Sequence, residues 1–90
     1  MEHNSLVGFP ENLTEITYSD LKADEKGQYI VLYIETSDDE NGCFCNASFR
    51  IPEGTPIVIN GYEEEKLKMV QDYVERYGKL ALKFAKEEAG

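Results

Sequence analysis

The stretch that decides the fold is residues 29–34, which read Tyr-Ile-Val-Leu-Tyr-Ile. Six consecutive apolar, aromatic and β-branched residues are typical of a strand with neighbours on both edges and apolar contacts on both faces. Turn-forming residues bound the stretch, with Asp24-Glu25-Lys26-Gly27 before it and Ser37-Asp38-Asp39-Glu40-Asn41-Gly42 after it. We therefore expect residues 29–34 to form the central strand of an antiparallel sheet.

Shorter strand patterns lie on both sides of this stretch. Residues 14–19 and 43–51 alternate in polarity, and residues 56–59 form a short apolar run that begins with a proline. Residues 1–12 contain scattered turn formers, so we expect them to be irregular. The predicted sheet is a three- to four-stranded antiparallel meander over residues 13–59.

The hydrophobic period becomes helical over residues 60–89. Asn60 is a suitable N-cap with Glu63 three residues later. Gly78 leaves two alternatives, a stop between two helices or a weak position within one. The apolar stripe keeps its phase through Gly78, which favours one helix, and such a helix would be about 40 Å long and would overhang the sheet.

The predicted fold is therefore a single α+β domain over residues 1–90, with the C-terminal helix packed on one sheet face. The expected core joins the inward residues of the sheet to the apolar stripe of the helix: Ile30, Leu32, Ile34, Cys43, Cys45, Ala47, Phe49 and Ile51 with Leu67, Val70, Val74, Tyr77, Ala81 and Phe84. The stripe is also compatible with a coiled-coil seam, but it spans fewer than three heptads, so core packing is favoured.

The charge is distributed unevenly along the chain. The net charge is −9; residues 1–61 hold eleven acids and three bases, whereas residues 62–90 hold seven acids and six bases. An acidic surface repels phosphate backbones and anionic lipid headgroups, so direct binding to nucleic acid or membranes is disfavoured. The sequence shows no signal-peptide pattern, and we expect a cytoplasmic location.

Residues that could carry chemistry are few. Cys43 and Cys45 are spaced unsuitably for a disulfide with each other, and His3 is the one histidine that could join them at a metal. The acidic turn 38–42 resembles a calcium loop only loosely, since its glycine is fifth rather than sixth. We therefore expect no enzyme activity, no cofactor and no metal site.

The remaining candidate is the sheet face away from the helix. That face is predicted to carry a set of aromatic, aliphatic and basic residues, namely Tyr29, Val31, Tyr33, Phe44 and Arg50. Tyr and Arg are common at interaction hot spots. Two alternatives stay open: that the face is covered by the apolar residues of the N-terminal segment (Leu6, Val7 and Phe9), or that the two sheet faces are reversed.

Three functions fit these observations. The first is a non-catalytic module that binds a protein or peptide partner through this face and self-associates. The second is an acidic mimic of nucleic acid that inhibits a nucleic-acid-binding protein. The third is a small enzyme of unknown class.

Overall fold

The computed structural model describes residues 4–10, 13–38 and 43–89. One antiparallel sheet and one helix follow each other along the chain. The elements are β1 (Asn4–Phe9), β2 (Thr14–Tyr18), β3 (Lys22–Asp24), β4 (Gly27–Asp38), β5 (Cys43–Ile51), β6 (Thr55–Asn60) and α1 (Glu64–Ala89). The spatial order is β1-β2-β4-β5-β6, with β3 also paired to β4. The α+β class and the antiparallel sheet followed by a C-terminal helix are as predicted.

The sheet has six strands rather than three or four, because two short segments join it. β1 occupies the segment expected to be irregular and pairs with β2, with a register shift between Ser5 and Val7. β3 has three residues and pairs with the first part of β4, while β2 pairs with the later part of the same edge. At the junction Ser19 keeps the ladder intact: its hydroxyl accepts from the Val31 N–H at 2.9 Å, and its own N–H donates to the Val31 carbonyl at 2.9 Å.

The helix is continuous through Gly78, as its apolar phase indicated. The glycine serves close packing, since a Cβ placed there would lie 2.8 Å from Cδ1 of Ile51 on β5. The helix begins at Glu64, so the proposed capping role of Asn60 is wrong. Asn60 instead ends β6, and Gly61 turns the chain with a φ of 83°, a conformation that glycine adopts without strain.

The core lies between the helix and the sheet face predicted to be inward. The buried members include residues from β2, β4, β5 and α1: Ile16, Tyr18, Ile30, Leu32, Ile34, Ala47, Phe49, Ile51, Val70, Ala81 and Ala85. Val74 and Tyr77 pack against this cluster, but Phe84 is 36% exposed and Leu67 only half-buried. The helix is rotated slightly from the predicted stripe, and Ala85 takes the inward position near its end.

Polar contacts fix both ends of the helix to the sheet. Near its start, the Tyr62 hydroxyl donates to the Ile34 carbonyl at 3.2 Å and lies 2.9 Å from Oγ1 of Thr36. Near its end, the Tyr18 hydroxyl donates to the Glu88 carboxylate, and burial together with this bond raises the pKa of Tyr18 to about 12. Within the described part of the chain, no helix combines the length and apolar character needed to cross a membrane.

Candidate functional site

The face opposite the helix, here called the open face, carries all five residues proposed from the sequence. On β4 the side chains of Tyr29, Val31 and Tyr33 alternate with the core residues that contact the helix. On β5, Arg50 lies opposite Val31, and Phe44 lies opposite Ser37. The structure brings these residues onto one surface, but it divides them into two ends with different surroundings.

At the first end, Arg50 is occupied by contacts within the protein. Its two terminal nitrogens bind the carboxylate of Asp24 at 2.8 and 2.9 Å, and its Nε binds Glu53 at 2.6 Å. The guanidinium also lies 3.8 Å from the centre of the Tyr29 ring, a cation–π contact. These contacts join β3, β4 and β5, so Arg50 fastens the sheet at this end.

The charges of this cluster reinforce one another. The hydrogen bond from Arg50 lowers the pKa of the Asp24 carboxyl, and both carboxylates raise the pKa of the guanidinium. A two-nitrogen contact between Arg and carboxylate fixes the planes of both groups. The positive charge of Arg50 is therefore neutralised within the protein.

At the second end, the open face forms a shallow groove of about 360 Å³ between Tyr33 on β4 and Val58 on β6. Phe44 and Val58 are 57% and 43% exposed. Glu35 and Asn46 also line the groove, so its apolar surface lies beside one carboxylate and one amide. Exposed aromatic and aliphatic side chains next to a charge are typical of a surface that binds another molecule.

On the open face, next to Tyr33, lies a buried hydroxyl without a hydrogen-bond partner. Thr17 pairs with Tyr33 across β2 and β4, and its side chain is 9% exposed. Among the described residues, Oγ1 of Thr17 is a buried side-chain oxygen with no hydrogen bond. A buried hydroxyl without a hydrogen bond costs about 1–3 kcal/mol.

The sequence left open whether Leu6, Val7 and Phe9 cover the open face, and in the structure they do not. Phe9 stacks on Tyr73 of the helix with ring centres 4.8 Å apart, and it also contacts Tyr77 at 5.9 Å. Leu6 and Val7 pack against the same core cluster. The apolar residues of β1 thus extend the core rather than the open face.

The other candidates from the sequence do not form a site in the described chain. Cys45 is buried, and its thiol donates to the Gly61 carbonyl at 3.3 Å, which is a packing role. His3, residues 39–42 of the calcium-like turn 38–42, and the side chains of Asp38 and Cys43 lie outside the described residues. Within the described ranges, no group of three or more His, Cys, Asp or Glu side chains could hold a metal.

Sequence reasoning missed the contribution of β6. Residues 56–59 were recognised as a strand, but their side chains were not assigned to the open face. The register pairs Val58 with Ser48 and therefore places Val58 on that face, while a shift next to Ser48 sets Ile57 apart as an extra residue. The sequence did contain a signal: Ile57, Val58 and Ile59 are consecutive apolar residues, so they place apolar side chains on both faces of an edge strand.

Comparison of the chain with protein-family models, with curated proteins and with solved structures finds no match.

Proposed function

We propose that this protein is a non-catalytic interaction module. The groove formed by Tyr33, Phe44 and Val58 on the open face binds a protein or peptide that presents an apolar side chain beside a basic one. The observation that carries the proposal is the exposure of Phe44, 57%, at one wall of that groove. A large aromatic side chain kept in water gains free energy when a partner covers it.

The chemistry of the partner follows from charge. The chain has a net charge of −9, and Glu35 lines the groove next to the aromatic residues. A basic side chain on the partner is attracted to both, and an apolar neighbour fills the groove. Electrostatic attraction of this kind mainly increases the rate of association and the specificity.

A random peptide library, panned against the immobilised protein, tests this proposal. We expect the selected peptides to place Lys or Arg next to an aliphatic or aromatic residue. Phe44→Ser should weaken their binding at least tenfold, about 1.4 kcal/mol, because it removes the exposed ring without disturbing the core.

The matched control is Leu13→Ser, which removes an apolar side chain that is 43% exposed at the turn before β2. Binding should survive this change. Peptides that bind Phe44→Ser as well as the unaltered protein would contradict the proposal, provided that circular dichroism shows both variants folded.

The acidic-mimic function is a second candidate, supported by the excess of acids over residues 1–61. The geometry gives this function weaker support, because two of these acids, Asp24 and Glu53, are already neutralised by ion pairs with Arg50. A mimic depends on long-range charge, so its binding to a nucleic-acid-binding protein should fall steeply as salt rises. Binding by the groove should depend less on salt and more on Phe44.

A further inference from the structure

The outer edge of β6 is the most exposed apolar edge of the described sheet. All six residues of this strand are exposed, and Ile57, Val58 and Ile59 are 54%, 43% and 39% accessible. An antiparallel strand directs alternate backbone N–H and C=O groups to each side, so an edge strand offers a row of them to another strand. β1, the other edge, is better protected because its apolar residues pack against the core.

Apolar grooves lie on both sides of the sheet next to this edge. On the open face lies the groove of about 360 Å³ that contains Val58. On the helix side, a groove of about 300 Å³ is lined by the apolar residues Phe49, Pro56, Ile59 and Val74, with Glu53 and Glu75 also in its wall. Since successive side chains of a strand point to opposite faces, a strand added here needs apolar residues on both of its faces.

The charge at the edge restricts the occupant further. Thr55–Asn60 contains no charged residue, although the chain carries a net charge of −9. Two copies of this acidic protein repel each other over most of their surface, but pairing through this strand sets two uncharged strands side by side. β6 is also apolar on both faces, as a strand added between the two grooves should be.

We infer that β6 pairs with β6 of a second copy, antiparallel across a twofold axis, and joins two sheets into one. Pairing of a strand with itself is isologous, so it closes as a dimer and leaves no free edge at the seam. Pro56 has no N–H to donate, so the seam lies within residues 57–60. Because such a seam is short, we expect a dissociation constant in the micromolar range rather than the nanomolar range.

Sedimentation velocity over a range from about 1 μM to 1 mM tests this inference. The unaltered protein should change from monomer to dimer within that range. Ile57→Lys should raise the dissociation constant at least roughly tenfold, because it places a charged side chain in a seam that is otherwise uncharged. Leu13→Lys makes the same change in net charge at another exposed apolar residue and should leave the dimer intact.

A second test uses the unaltered protein, so its result does not depend on whether the variants fold. Amide hydrogen exchange of residues 57–60 should slow as the concentration rises, while the β1 amides stay unchanged. A protein that is monomeric up to 1 mM, a dimer equally weakened by both lysine variants, or protection that develops at β1 instead would each overturn the inference.

Discussion

The two faces of the sheet are built from the same strands but have opposite surroundings. On the helix side of β4, Leu32 has no accessible surface; on the open side of the neighbouring β5, Phe44 is 57% exposed. β4 is apolar on both sides, so its own composition does not distinguish them. The difference comes from β5, where apolar residues alternate with Asn46, Ser48 and Arg50. The face of a central strand is therefore determined by its neighbours in the sheet.

The largest expected effect comes from truncating one residue on each face of β4. Leu32→Ala leaves a cavity between the sheet and the helix and should lower the free energy of unfolding by about 3 kcal/mol. Val31→Ala, one position away on the open face, should cost about 1 kcal/mol. Urea denaturation measures both. Equal losses would show that the open face is as well packed as the helix side.

A smaller effect is expected at the far end of the helix. Tyr18→Phe removes the hydrogen bond to Glu88 and should cost about 1 kcal/mol at neutral pH, since Glu88 is exposed. The pKa of Tyr18 is raised from 10.0 to about 12 in the folded protein. Its stabilising contribution is therefore complete below pH 10 and is lost as the pH rises through 12.

Thermal unfolding of the two proteins from pH 9 to 12 measures this contribution. The difference in melting temperature should shrink over the upper part of that range, as Tyr18 ionises in the unfolded chain. A melting-temperature difference that stays constant with pH would mean that the protonated Tyr18 hydroxyl does not stabilise the folded protein.

The smallest expected effect concerns how closely the helix approaches β5. Gly78→Ala raises helix propensity by about 1 kcal/mol, but the new Cβ meets Cδ1 of Ile51, and moving that side chain from its rotamer costs a similar amount. Ile51→Val removes Cδ1. The alanine should therefore be nearly neutral alone and stabilising by about 1 kcal/mol in the Ile51→Val background. Additive effects in a double-mutant cycle would contradict the close contact.

Most of the fold was predictable because its signals are local. The alternation of residues 43–51, the turn at Gly27 and the phase of the helix each depend on a few neighbouring residues. The strand at Asn4–Phe9 was missed because its short apolar run contains Gly8 and is followed by Pro10, and its place in the sheet depends on pairing with β2. β3 was missed because three residues give no period to read.

The sequence predicted which residues form the candidate surface, but it did not predict that this surface has two ends with different surroundings. In the structure Tyr29, Tyr33 and Phe44 lie on one face, although the apolar composition of β4 left the choice of its face open. The ion pair of Arg50 depends on Asp24, which lies 26 positions earlier on a strand that local sequence patterns did not reveal. Val58 joins the face through its pairing with Ser48, which only the assembled sheet defines.

The short connections between the strands have a consequence for how the chain folds. Strands β1 to β6 follow one another through connections of two to four residues, so pairings between consecutive strands close small loops, whereas the pairing of β2 with β4 spans β3. The entropy lost in closing a loop grows with its length, and the sheet therefore forms its pairings at low entropic cost. The contacts that join distant parts of the chain are those of the helix, from Phe9 to Tyr73 and from Tyr18 to Glu88. The helix thus bears most of the topological cost of folding, and its docking converts a series of local hairpins into one cooperative unit.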